Sequence, residues 1–165
     1  MPIYAAAGAV GHAAVQLAKA GGAYVIGTAS ADDHDFLRDL GTDELVDNTA
    51  DLAATVHSVD TALDLVDGDF GPRTLGTLRP GGLLLAAVPG DPGLAPEEAE
   101  ACGMRCAVIT PEPSGERLTK IAALLANTRI RFHVEAALPF TDAARAHELG
   151  DAGHRKGSLV LALPN

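Results

Sequence analysis

Between Ile3 and Thr28 the chain reads as strand, glycine turn, helix, glycine stop and strand, and this β-α-β unit restricts the fold more than any other feature. The apolar stretch Ile3–Ala7 runs straight into Gly8-Ala9-Val10-Gly11. A helix over His12–Ala20 follows, with Val10, Ala14, Leu17 and Ala18 spaced to face inward. Gly21-Gly22 ends it, and Ala23–Thr28, apolar and β-branched, reads as a buried strand. Two consecutive strands joined by a helix lie parallel, with a right-handed crossover.

The alternation continues. A helix over Asp32–Leu40 turns Phe36, Leu37 and Leu40 inward, and Glu44–Asp47 and Val59–Leu65 read as the third and fourth strands. A helix over Arg73–Leu78 is expected to stop at Pro80-Gly81-Gly82. The continuous apolar run Leu83–Val88 suits a parallel strand covered on both faces. A short helix near Pro96–Cys102, a sixth strand over Met104–Thr110 and a helix over Ser114–Asn127 complete the series. The prediction is an α/β fold with a Rossmann-type, doubly wound, six-stranded parallel sheet. Residues 1–130 form this nucleotide-binding domain. Residues 131–165 break the rhythm as a tail: a strand near Ile130–Pro139, a helix over Thr141–Leu149 and a strand over Ser158–Leu163. With aromatics at 4% and no Trp, the core must be built from Ala, Val, Leu and Ile.

Other bulk features work by exclusion. A net charge of −10 repels a phosphate backbone, so nucleic acid is not a partner. Cys102 and Cys106 are the only cysteines; they lack further ligands at metal spacing and read as two buried thiols in a reducing compartment, with no metal site. No apolar run is long enough to span a bilayer, and the N-terminus lacks the form of a signal peptide. A soluble, cytoplasmic protein is the expectation.

The chemistry sits in the first glycine turn. Gly8 lets backbone approach a pyrophosphate, and Gly11 lets the helix pack closely on the strand. The helix start offers free N–H groups and partial positive charge to an anion. Alanine replaces the first glycine of the usual pattern. At the end of the second strand stands Thr28-Ala29-Ser30 and no acid; a ribose-binding carboxylate is absent there and a 2′-phosphate has room, which favours NADP(H) over NAD(H).

The runs AAAGAVGHAAVQLAKAGGAYVIGTAS, FLRDLGTDELVD, VDTALDLVDGD, TLGTLRPGGLLLAAV and LPFTDAARAHELGDAGHRKGSLVLAL resemble the cofactor domain of quinone-oxidoreductase-like, zinc-independent medium-chain dehydrogenases/reductases. The resemblance covers essentially the whole chain and implies hydride transfer from NADPH to quinones or activated alkenes and carbonyls. It also implies that Gly8, Ala9 and Val10 contact the pyrophosphate, Thr28 and Ser30 lie near the adenosine ribose, and Val66 and Val88 line the nicotinamide end. The sequence departs from the family at Asp32-Asp33, where carboxylates would oppose a 2′-phosphate, with His34 a modest substitute for a Lys or Arg. Asn48 stands where the family often has tyrosine, and Asp67 where Gly-Gly is usual. Cofactor affinity is therefore expected to be weak or lost.

No catalytic residue is assigned. The histidines read as structural or surface residues, with His12 nearest the cofactor turn. Asp64 is either a ribose or acid group or merely a strand end. By resemblance, an N-terminal barrel domain that closes the substrate cleft is missing, so a homodimer or hetero-complex through the tail or a sheet edge is expected. Leu138, Phe140, Leu149, Leu159, Val160 and Leu161 are the apolar tail residues left to cover. Competing functions are a small cyclase or isomerase reusing the groove for a metabolite, and a non-catalytic binding subunit.

Overall fold

Six segments pair as one parallel sheet: β1 (Pro2–Ile3), β2 (Ile26–Ala29), β3 (Glu44–Asp47), β4 (Val59–Asp64), β5 (Leu78–Ala86) and β6 (Arg105–Val108). Their order across the sheet is β3-β2-β1-β4-β5-β6, the expected doubly wound topology, with winding reversed between β1 and β4. The structure is a computed structural model, and it describes residues 1–66, 70–87, 94–153 and 156–164. The helices are α1 (Gly11–Ala20), α2 (His34–Asp39), α3 (Leu52–Thr55), α4 (Phe70–Leu75), α5 (Pro96–Ala101), α6 (Gly115–Ala126) and α7 (Ala143–Asp151). Two tail strands, β7 (Val134–Pro139) and β8 (Ser158–Ala162), form a separate parallel pair.

Several elements differ from the sequence reading for local reasons. The first strand is two residues long, because Ala5 turns into the left-handed region at φ 50°. The sheet's bonding continues past it even so: Tyr4 N–H donates to Leu63 O and Ala6 N–H to Thr28 O, both at 3.0 Å. On α1 the inward face is Gly11, His12, Val15 and Gln16, while Val10 and Leu17 are exposed. Of the four residues expected to face inward, Ala14 and Ala18 do pack against the core. The face turns further toward His12 and Gln16 because hydrogen bonding lets these two polar residues be buried. The helix expected over Arg73–Leu78 lies earlier, at Phe70–Leu75. Pro80-Gly81-Gly82 does not stop a helix; it forms an irregularity within β5, where Leu78 pairs with Val59 and Leu83 with Thr61. Gly81 there has φ +74°. The short α3, absent from the sequence reading, is started by the Asp51 carboxylate, which accepts from Ala53 N–H at 3.2 Å.

The core matches its composition. On one part of the sheet Ile3, Ala6, Val15, Val25, Leu37 and Leu63 pack together. Ala62, Leu75, Leu78, Leu84 and Leu94 form a second cluster around β4 and β5. Tyr4, Ile26, Val46, Leu52 and Val56 form a third. By contrast α6, which the periodicity marks as amphipathic, has no buried residue, and Leu118 on it is exposed.

Candidate functional site: the glycine turn and the end of β2

The two glycines of the β1–α1 turn face opposite constraints. A Cβ on Gly11 would lie 2.2 Å from Ala5 O and 2.7 Å from Ala6 Cα, so the helix start is pressed directly onto the turn. A Cβ on Gly8 would meet only Ala5 O at 3.4 Å, an ordinary contact. Gly8 N–H closes the turn on Ala5 O at 3.0 Å. At the start of α1 no side chain caps the backbone and no acidic residue occupies the first turn, and Ala9 and Val10 are exposed. This end of the ten-residue helix therefore carries its partial positive charge without an internal counter-charge.

His12, the second residue of α1, is fully buried. Its Nδ1 lies 2.9 Å from Gly8 O, and its Nε2 accepts from His133 N–H at 3.2 Å. Accepting at Nε2 requires the tautomer protonated at Nδ1, which then donates to Gly8 O. His12 thus holds the turn's carbonyl in place and ties it to the tail. Gln16 completes the tie: its amide donates to Arg131 O and accepts from Arg131 N–H, each at 2.8 Å. Further on, Gly157 N–H donates to Ala7 O at 2.8 Å and pairs with Gly8 as an isolated bridge. Gly157 has φ +72°, and a Cβ there would lie 2.1 Å from His133 O. Only glycine fits this seam.

At the end of β2, Ser30 opens a turn over Ala31–Asp33. The Ser30 hydroxyl donates to Asp33 Oδ2 at 2.8 Å. Lys156 reaches across from the tail, donating to Asp32 O at 3.0 Å, with its Nζ 3.5 Å from Asp33 Oδ1. Asp33 is consequently folded back between Ser30 and Lys156, while Asp32 is exposed. His34 follows at the start of α2, and its Nε2 is buried with no hydrogen-bond partner among the described residues. The neighbouring Asp47 carboxyl is held below the usual range chiefly by the Thr49 hydroxyl and amide.

The remaining expected site residues divide. Thr28 and Asn48 line one small cleft with Tyr4, Asp47, Ala50, Leu52 and Arg73. Thr28 is buried and Asn48 exposed. The Tyr4 phenol is pushed up by burial, against a hydrogen bond from Thr74 and reinforced by the Asp64 charge. Val66 is half-buried against the Tyr4 cluster. Asp64, fully buried, accepts from Val66 N–H at 2.9 Å and shapes the turn after β4. Val88 and Asp67 lie outside the described residues. Sequence reasoning missed Lys156 altogether, because nothing local in the tail signals that it meets a turn 124 positions earlier.

Comparison with known proteins places these features in a family. The family described as zinc-binding dehydrogenase matches residues 40–161. A quinone oxidoreductase of Coxiella burnetii superposes with a TM-score of 0.90 at 33% identity, over 96% of this chain and 50% of that one. A mycobacterial protein solved in complex with NADPH superposes at 0.81 with 25% identity, over 97% of this chain and 55% of that one. The chloroplast envelope quinone oxidoreductase homolog of Arabidopsis thaliana is 26% identical over 96% of this chain and 51% of its own length. The chain thus spans about half the length of each of these three proteins. Among the described residues, no three His, Cys, Asp or Glu side chains cluster to hold a metal ion. Cys102 and Cys106 are both free thiols but not both buried as expected. Cys102 is exposed, because it follows the end of α5 at the surface, and Cys106 on β6 is half-buried, its thiol raised by burial and by the Asp64 charge. Nor is any described helix long and apolar enough to cross a membrane.

Proposed function

The chain belongs to the zinc-binding dehydrogenase family, and on that premise we propose that it binds a nicotinamide cofactor at the Gly8–Gly11 turn, as the cofactor half of a quinone-oxidoreductase-type enzyme. The contrast between the two glycines carries the reading. Packing alone demands Gly11, whereas the fold itself leaves room for a Cβ at Gly8. Close approach of a ligand to the backbone accounts for that second glycine. An unpartnered buried Nε2 on His34 and an uncapped helix start supply the polar groups such a ligand would use.

In this reading the backbone of Gly8, Ala9, Val10 and Gly11 holds the pyrophosphate. Thr28, Ser30, His34 and Asn48 receive the adenosine end, and Val66 and Val88 flank the nicotinamide. His12 positions the turn through Gly8 O and takes no part in proton transfer. The cofactor is NADP(H), bound weakly because Asp33 and Asp47 oppose a 2′-phosphate. Once bound it supplies a hydride to a quinone or to an activated alkene or carbonyl. A second copy or another protein completes the substrate cleft through the tail or the β6 edge, which excludes water and orients the substrate. Titration calorimetry with NADPH, NADH and NADP checks the site. Binding of none at millimolar concentration by folded protein would overturn it. That outcome would favour the reading in which the nucleotide groove is reused for a different metabolite, by a cyclase or an isomerase, or in which the chain is a non-catalytic binding subunit.

A further inference from the structure

We propose that Lys156 decides whether a 2′-phosphorylated cofactor is accepted, with Asp33 as its internal competitor; this rests on the cofactor reading above. Three observations converge on the turn after β2. Among the described residues, Lys156 is the cation the fold brings onto that turn, bonded to Asp32 O and 3.5 Å from the Asp33 carboxylate. Its backbone is not free to wander. The next residue, Gly157, is bonded to Ala7 of the glycine turn and wedged against His133 O in a conformation that excludes other residues. Lys156 therefore stands at the seam between the pyrophosphate turn and the β2 turn. A cation beside the end of this strand is what accommodates a 2′-phosphate in such sheets.

The charges around the turn make this one ammonium decisive. Asp32, Asp33 and Asp47 all lie on the β2 and β3 ends, and they oppose a dianionic phosphate. Asp47 is occupied by Thr49, and Asp33 by Ser30 and Lys156. In the free protein Lys156 neutralises Asp33. Facing a 2′-phosphate it has a stronger, charge-assisted acceptor, and Asp33 keeps the Ser30 hydroxyl as its remaining donor. A cofactor with a plain 2′-hydroxyl needs no such exchange. Discrimination between the two cofactors thus reduces to competition for one Nζ.

The test is calorimetric titration of the full chain with NADPH and NADH, alongside 2′,5′-ADP and 5′-ADP, for wild type, Lys156→Gln, Lys156→Arg and Asp33→Asn, with a thermal melt of each. We expect Lys156→Gln to weaken NADPH and 2′,5′-ADP about ten-fold while leaving NADH and 5′-ADP within two-fold. Lys156→Arg should keep the preference. Asp33→Asn should tighten NADPH about five-fold, and by less when combined with Lys156→Gln. Equal weakening of all four ligands by Lys156→Gln would overturn the proposal, marking Lys156 as a tail fastener. Unchanged binding would overturn it as well. In both cases wild-type binding of NADH and NADPH would leave the cofactor reading intact. Failure of wild type to bind any of the four would remove both.

Discussion

At the level of single residues, the glycine turn separates packing demands from functional ones. Gly11→Ala puts a methyl 2.2 Å from Ala5 O, so backbone has to move. It should cost about 3 kcal/mol or more in urea unfolding. Gly8→Val meets no such obstacle and should leave a folded sheet, by circular dichroism, that no longer binds nicotinamide cofactor. Full affinity in a folded Gly8→Val protein would place the ligand elsewhere. Ala5 holds a left-handed conformation at φ 50°, which costs an L-residue about 1 kcal/mol. Ala5→Gly should therefore raise the melting midpoint, since the strain relieved exceeds the extra chain entropy glycine brings to the unfolded state. Alternation and spacing located this turn to within a residue. They could not show that Ala5, and not the alanine at the usual first glycine, bends the chain, since a dihedral angle is set by what packs around it.

At the level of elements, α1 is fastened to the tail by polar groups that its apolar pattern conceals. His12 and Gln16 occupy its buried face because Gly8, Arg131 and His133 satisfy them. His12→Ala removes two hydrogen bonds and leaves the His133 amide unpaired, a loss of about 3 kcal/mol that a denaturant midpoint would register. A stability change below about 0.5 kcal/mol would show that His12 does not fasten the turn to the tail. A second fastening ties α1 to the β2–β3 end. Asp43 is held below the usual carboxylate range first by the Lys19 ammonium, at 2.7 Å, and then by Val25 N–H. Its folded value lies below its unfolded one, so this contribution is present above the ordinary carboxylate range and disappears as pH falls through the lowered value. Both side chains are partly exposed, which limits the pair to less than about 1 kcal/mol. Melts between pH 7 and pH 2 should show a smaller acid loss for Lys19→Met than for wild type. Equal losses would assign acid sensitivity to other carboxylates, among them Asp60 beside Arg79.

At the level of the whole molecule, apolar surface is distributed unevenly. Leu138 is buried within the tail, and Leu159 and Leu161 are half-covered, while Val134, Phe140, Leu149, Val160 and Leu163 face outward. The open β6 edge ends in Val108 and Ile109, both exposed. Leaving such area in water costs roughly 25 cal/mol per Å², and an unpaired edge offers ready N–H and C=O groups. Sedimentation at micromolar concentration should therefore show a dimer or larger species, and Val108→Lys should dissociate an edge-paired one. A monomer under those conditions would rule out self-association as the way the cleft is completed. The order of elements, the parallel sheet and the place of the glycine turn were determined by the sequence alone, because period-2 and period-3.6 patterns and glycine positions act over a few residues. Only the tertiary structure decided that Lys156 meets Asp33, that Gly157 closes on Ala7 and that His133 meets His12. These contacts join residues more than a hundred positions apart, and no local propensity selects them: they form where packing leaves one backbone conformation and one donor–acceptor match.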